Sequence, residues 1–205
     1  MAIWSKDTSM VELRGKRVTL RPLVPADFPQ WREVRRSNVE WLTRWEPRRL
    51  AGQPDPVGDE NVFAARCSAR ARERQLGTGY GFGIFVGNRF VGEINVSAVQ
   101  RGPFQSAYVG YWIDHRHAGN GYVPEGLVVL FEYSFETLRL HRLQIAIIPR
   151  NQASRRVVAK LGLRDEGVAL RYLEINGVWE DHVRFAITSE EWTLRRDELV
   201  PAWVQ

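Results

Sequence analysis

Arg116-His117-Ala118-Gly119-Asn120-Gly121 stands between an apolar, strand-like run from Ala107 to Asp114 and an amphipathic, helix-like run from Val123 to Leu138. Glycines at 119 and 121 permit positive φ and close backbone approach. Successive peptide N–H groups can therefore converge on an anion beside the positive end of a helix dipole. Arg116 adds a cation at the rim, and the stretch reads as a turn that holds a pyrophosphate. A glycine turn is also an ordinary way to join a strand to a helix, so the neighbouring segments decide. No Gly-Lys-Ser/Thr follows, which excludes a P-loop, and Glu125-Gly126 breaks the spacing of a dinucleotide fingerprint. Further along, the strand-like Leu143 to Ile148 runs into Pro149-Arg150-Asn151-Gln152-Ala153-Ser154 and then a second helix. Strand, glycine turn, helix, strand, Asn-x-x-Ser, helix is a far rarer order than any of its parts.

Working outward, Glu12 to Leu23 reads as a first strand with a Gly15-Lys16 turn inside it, ended by Pro22 and Pro25. Phe28, Trp31, Val34, Trp41 and Trp45 recur at mixed helical spacings, which predicts two short helices joined near Ser37-Asn38. Arg48 to Gly58, with two glycines and two prolines at its centre and end, is a loop. Asp59 then caps a long helix to Leu76, closed by Gly77. Tyr80 to Val86 and Arg89 to Val99 flank Gly87-Asn88, a two-residue hairpin turn of the primed kind. Leu127, Leu130, Phe131, Phe135 and Leu138 form a 3.6-residue stripe that must cover a sheet. Arg164 to Ile175 and Val178 to Ile187 pair around Asn176-Gly177, and Thr188-x-x-Glu191 is a capping box for a final helix. The order β-α-α-α-β-β-β-α-β-α-β-β describes an α/β (α+β) domain with a mixed, mostly antiparallel central sheet and helices on both faces.

The chain has 205 residues, 44% of them hydrophobic, which fits a single domain over 1–205 with a full core. One cysteine, Cys67, excludes an intramolecular disulfide, and the N-terminus has no apolar run of signal-peptide length. Both imply a cytoplasmic protein. No stretch approaches the length of a membrane span. A formal charge of +5 favours acidic partners. The densest basic run, Arg66, Arg70, Arg72 and Arg74, lacks the interleaved aromatics that stack on bases. It reads as a solvated helix face, with no direct nucleic-acid site evident.

These residues resemble the GCN5-related N-acetyltransferases, whose acetyl-CoA motif Arg/Gln-x-x-Gly-x-Gly/Ala matches Arg116 to Gly121, with a later Asn at Asn151. Tyr111-Trp112-Ile113-Asp114, Gly121-Tyr122, Leu140-His141-Arg142, Asn151-x-x-Ser154, Leu161-Gly162-Leu163, Glu166-Gly167 and Asn176-Gly177-x-Trp179-x-Asp181-His182 are similar to the ribosomal-protein-alanine (RimJ/RimL-like) branch. The resemblance runs from Glu12 to Trp192. Gly126 departs from the Ala frequent in relatives, and Pro124 sits in the first helical turn, where a missing N–H costs nothing. The resemblance implies acetyl-CoA as co-substrate, held by His117, Ala118, Gly119, Asn120, Gly121, Tyr122 and Asn151 with Arg116 beside them. It also implies that the strand before the motif splays from a parallel neighbour, freeing backbone groups near Trp112 and Ile113 for the pantetheine arm and the carbonyl.

Acetyl transfer to an amine needs a held thioester, a neutral amine, donors for the oxyanion and a proton for the departing thiolate. The resemblance places that proton on Ser154, which also belongs to the cofactor wall, and Tyr172 is the alternate donor. For the base, Glu93 lies on a strand whose apolar residues face a core, and a carboxylate there is costly unless hydrogen-bonded or turned to the cleft. Asp114 and Asp181 are weaker candidates. A water relay suffices for a peptide α-amine, whose pKa lies near ~8, unlike a lysine near ~10.4. Trp41 and Trp45, with Arg44 between them, together with Tyr111 and Glu93, are the expected acceptor contacts. His115-x-His117 lacks the Cys or carboxylate partners of a metal site, so no metal is expected. The leading expectation is transfer of acetyl to the N-terminal α-amine of a protein such as a ribosomal protein. Acetylation of a small amine such as an aminoglycoside or polyamine, and a non-catalytic acyl-CoA-binding module, remain alternatives. The oligomeric state is left as monomer or homodimer.

Overall fold

The structure, a computed structural model, describes residues 11–50 and 52–205. Residues 1–10, which open the expected domain and carry the reading on signal peptides, and Ala51 of the expected loop lie outside the described residues. The strands are β1 (Leu13–Arg14), β2 (Val18–Arg21), β3 (Tyr80–Val86), β4 (Arg89–Gln100), β5 (Ser106–Ile113), β6 (Arg142–Ile147), β7 (Arg164–Ile175) and β8 (Val178–Thr188). They form one sheet in the order β1-β2-β3-β4-β5-β6-β8-β7, and every neighbouring pair except β5 and β6 is antiparallel. The helices are α1 (Phe28–Ser37), α2 (Val39–Thr43), α3 (Glu60–Leu76), α4 (Tyr122–Glu132), α5 (Gln152–Lys160) and α6 (Ser189–Trp203).

The stretch read as one strand from Glu12 to Leu23 is two. Gly15 N–H donates to Val18 O at 2.8 Å, and the chain reverses to pair Leu13 with Leu20. Asp59 caps α3 and Gly77, at φ +70°, ends it. Thr188 and Glu191 close the capping box of α6. The helix expected to reach Leu138 keeps α-helical bonding only to Glu132. A π-helical turn, Tyr133–Thr137, follows, with Leu138 N–H on Tyr133 O at 3.0 Å.

Burial divides between the two faces of the sheet. Leu127, Leu130, Phe131 and Phe135 pack with Trp192 of α6 in the larger core, while Phe28, Trp31, Phe63 and Cys67 form a second core with Phe85 and Phe90 under α1 and α3. Arginines expected on a solvated face of α3 belong partly to that second layer. Arg74 is 5% exposed and Arg66 bonds Glu93, so only Arg72 of the four is fully solvated.

One feature of the sheet positions everything else. β5 and β6 pair in parallel from Ser106↔Arg142 only to Tyr108↔Gln144. Beyond that, β5 stays with β4 as far as Gly92↔Ile113, and β6 stays with β8 as far as Ile147↔Val183. The expected splay is therefore present, and it opens at Val109.

Candidate active site

The parting of β5 from β6 exposes backbone that a regular sheet would consume. Asp114 N–H donates to Val91 O at 2.8 Å, and alternation along an antiparallel ladder then directs the groups of Trp112 toward β4 as well. Close approach follows at that point: a Cβ on Gly92 would lie 2.2 Å from Trp112 O. The groups of Tyr111 and Ile113 turn the other way, into the gap. Ile113 O is taken there by Trp41 Nε1 at 3.1 Å. The free backbone expected near Trp112 and Ile113 thus belongs to Tyr111 and to the Ile113 N–H.

Beyond Ile113 the chain makes a single 3-10 turn, His115–His117, then reaches Gly119 and Gly121, both at φ +83°, and enters α4 at Tyr122. Nothing lies within 4 Å of a Cβ on Gly119, so conformation alone selects glycine at that position. The turn is fixed from beneath by Asp114, which is wholly buried. Its carboxylate accepts from Asn38 Nδ2 at 3.0 Å, from Arg116 N at 3.1 Å and from Arg116 Nη2 at 2.6 Å. Burial pushes the Asp114 carboxyl up, but the hydrogen bonds from Arg116 and Asn38 outweigh it and carry it down to about 2. The guanidinium of Arg116 is therefore spent on Asp114, with Glu33 3.7 Å away, and is not a free cation at the rim. Asn120 also folds inward, its Nδ2 on His117 O at 3.2 Å.

A cleft of about 670 Å³ occupies the gap. His117, Ala118, Gly119, Gly121 and Tyr122 line one end, Asn151 and Ser154 one wall, and Trp41, Trp45, Trp112 and Ile113 the other. Arg156 and Lys160 of α5 line it too, and they were not anticipated. On a helix written Ser-Arg-Arg-Val-Val-Ala-Lys they read as solvated. The turn offers backbone donors at a helix start, the two α5 cations line the same cleft, and His117 Nδ1 is buried without a hydrogen-bond partner. Those features fit the diphosphate and 3′-phosphate of a coenzyme A thioester.

Asn151 caps α5 by accepting from Ser154 N at 3.1 Å, which sets the Ser154 hydroxyl on the cleft wall. That hydroxyl is 2.8 Å from the Tyr111 hydroxyl, whose pKa is raised by burial against the opposing bond to Ser154. Tyr172 is elsewhere. Burial, then the neighbouring Tyr108, raise its pKa. Tyr108 and Tyr111 are an odd number of residues apart on one strand, so they face opposite sides of the sheet. Tyr172 and Ser154 are therefore on opposite sides, and Tyr172 is not among the residues that line the cleft. Asp181 is also remote, accepting from Arg171 N at 2.8 Å within the β7–β8 hairpin.

Glu93 is 3% exposed and lines a separate cavity of about 200 Å³ beside the cleft. Trp31 Nε1 donates to one of its oxygens at 2.6 Å, and Arg66 pairs with the other. These partners answer the cost foreseen for a carboxylate on that strand, and they turn Glu93 away from the cleft proper. Trp41 and Trp45 flank Arg44, whose guanidinium lies 5.5 Å from one ring centroid and 5.6 Å from the other. Among the described residues no group of three or more His, Cys, Asp or Glu side chains is arranged to hold a metal ion, and no helix is long and apolar enough to cross a membrane.

A sheet split at one parallel pair, with an anion-binding turn at one end of the gap and a hydroxyl pair on its wall, defines an acyltransferase that takes its acyl group from a coenzyme A thioester. The comparisons agree. The family described as "Acetyltransferase (GNAT) domain" matches residues 17–164, and the chain belongs to that family. It is 32% identical over 185 residues to the [ribosomal protein uS5]-alanine N-acetyltransferase of Escherichia coli, covering 89% of this chain and 93% of that one. It is 31% identical over 181 residues to the probable N-acetyltransferase YjcK of Bacillus subtilis, covering 87% and 98%. Among solved structures, Mycobacterium smegmatis RimJ in complex with CoA-disulfide superposes with a TM-score of 0.80 at 33% identity, covering 89% and 88%. The protein is an N-acetyltransferase of the GNAT kind, and acetyl-CoA is its co-substrate.

Proposed function

We propose that the acetyl acceptor is the N-terminal α-amine of a protein, such as a ribosomal protein. The observation that carries this reading is the charge of the cleft. Among the described residues its one lining carboxylate is Glu46, which is tied to Arg35 by bonds of 2.6 and 2.8 Å, while Arg156 and Lys160 line it as further cations and Arg70 lines it paired with Glu73. A polyamine or aminoglycoside needs several carboxylates. A peptide brings one amine and neutral backbone, and Trp41 and Trp45 offer it an apolar wall. The similarity to the uS5-alanine enzyme supports the same acceptor.

When bound, acetyl-CoA supplies the activated acetyl carbon. The amine nitrogen forms the new C–N bond as the C–S bond breaks; the amine loses a proton and the sulfur gains one. The backbone N–H groups of Tyr111 and Ile113 face the gap where charge develops on the carbonyl oxygen. Ser154 gives the sulfur its proton in this reading, which its position on the cleft wall and its 2.8 Å contact with the Tyr111 hydroxyl support. Glu93 holds Arg66 and Trp31 in position and bounds the side cavity. The test is release of CoA thiol with three acceptors: a free-amine alanyl peptide, the same peptide N-formylated, and spermidine. Turnover with the free peptide alone is expected; turnover with spermidine alone would transfer the site to small amines.

A further inference from the structure

We infer that Asn95 receives the attacking amine, its side-chain oxygen accepting a hydrogen bond from the neutral nitrogen before attack. The inference rests on the acyl-transfer reading of the cleft. Asn95 lines both the cleft and the side cavity, and with Arg70 it is the residue they share. Its Oδ1 is excluded from solvent yet has no hydrogen-bond partner. Buried acceptors are almost always satisfied, so a vacant one at the wall of a substrate cleft marks a donor brought by the ligand. Across the ladder Asn95 pairs with Gly110, and nothing lies within 4 Å of where a Cβ on Gly110 would stand. The open space is therefore beside the splayed strand, on the face Asn95 shares with Gly110, across the sheet from the face where the Tyr111 hydroxyl touches Ser154.

The charges around Asn95 decide which form of the amine it takes. From α3, Arg66 is matched by Glu93 of β4, and Arg70 by Glu73 at 2.8 Å. Among the described residues Arg74 has no carboxylate partner; it donates to Gly81 O at 3.1 Å, and its Nε is unbonded. From β5 the titratable groups are Tyr108, on the face of Asn95, and Tyr111, on the other face, whose pKa burial raises; from the segment after α2 it is Glu46, paired with Arg35. Across the cleft stand His117, Arg156 and Lys160. The balance is positive, so an ammonium ion is disfavoured there and the neutral nucleophile is favoured. A neutral amide recognises that form without stabilising the ammonium. Such a site selects an α-amine, with a pKa near ~8, over a lysine near ~10.4.

The experiment compares wild type, Asn95→Ala, Asn95→Ser and Asn95→Asp with an alanyl tripeptide amide and with glycinamide, reading CoA thiol release against pH and acetyl-CoA affinity by calorimetry. Asn95→Ala and Asn95→Ser are expected to lose about tenfold or more in kcat/KM for the amine, with acetyl-CoA affinity kept within about twofold. Asn95→Asp is expected to raise the pH midpoint of kcat by about one unit, because a carboxylate holds the amine as ammonium. Loss under about threefold in a folded Asn95→Ala, or an unmoved midpoint in Asn95→Asp, overturns the assignment. If wild type acetylates glycinamide and no peptide, the protein-acceptor reading fails and the Asn95 comparison is decided on glycinamide. If acetyl-CoA binds and neither amine reacts, both fail.

Discussion

The two ends of the cleft are built by different rules. The cofactor end comes from contiguous chain: β5, a turn with two left-handed glycines and the start of α4, joined by the Asn-capped start of α5. The acceptor end is assembled across long separations. Glu93 meets Trp31 and Arg66, Asn95 faces Gly110, and Trp41 bonds Ile113. Backbone recognition needs a local conformation, which a short motif can encode. Side-chain recognition needs partners, and each buried charge at the acceptor end is defined by what it is paired with.

That contrast can be broken most forcefully at Ser154. Ser154→Ala is expected to lower kcat by about 100-fold or more while acetyl-CoA affinity stays within about threefold, as removal of a general acid does. Tyr172→Phe is expected to change kcat by less than about threefold, because Tyr172 is not among the residues that line the cleft. Rate assays with calorimetry on the same variants decide between them.

At the cofactor end, Gly121→Val should weaken acetyl-CoA binding by about 100-fold with the fold retained. A β-branched residue resists φ +83°, and its Cβ would lie 3.2 Å from Arg17 Nη2. Unchanged calorimetric affinity in a folded variant would move the anion site away from this turn.

Asp114 sharpens the comparison from below, since it ties the turn to Asn38 at the junction of α1 and α2. Against the push of burial, the hydrogen bonds from Arg116 and Asn38 carry its carboxyl from the ordinary 3.8 down to about 2. Its ionisation therefore stabilises the fold above pH 3.8, by about 2 kcal/mol, and that stability is lost as pH falls through about 2. Denaturant titrations between neutral and acid pH should show this acid-dependent part removed in Asp114→Asn.

The smallest expected effect is at Glu93. Glu93→Gln keeps its shape but leaves Arg66, itself partly exposed, without a counter-charge, costing about 1–2 kcal/mol after screening. If Glu93 is a post for Arg66, the loss in kcat is modest and the same at every pH. A loss concentrated at low pH would make it the base.

How far these features were legible follows the same division. The glycines at 119 and 121, the Asn151 cap and the hairpins around Gly87-Asn88 and Asn176-Gly177 were readable because each depends on residues close in sequence. Arg116 was legible as a cation but not as one already committed, because Asp114 is its partner only once the 3-10 turn forms. In Glu12 to Leu23 the Gly15-Lys16 turn was legible, but the stretch was read as one strand; the Gly15–Val18 bond and the Leu13–Leu20 pairing show that the turn divides it into two. Asn38, Asn95, Arg156 and Lys160 carried no signal, since polar residues on an unplaced helix or strand read as solvated. Arg74 was misread because its burial comes from packing of α3 on β3, where it donates to Gly81 O seven residues on.

The central claim is that one cleft joins acetyl-CoA to a peptide α-amine. A single peptide carrying a free N-terminal alanine and an internal lysine, incubated with the protein and acetyl-CoA and sequenced by mass spectrometry, tests it directly. The account predicts one acetyl group, on the N-terminal nitrogen. Acetylation of the lysine, or none with acetyl-CoA demonstrably bound, would contradict it.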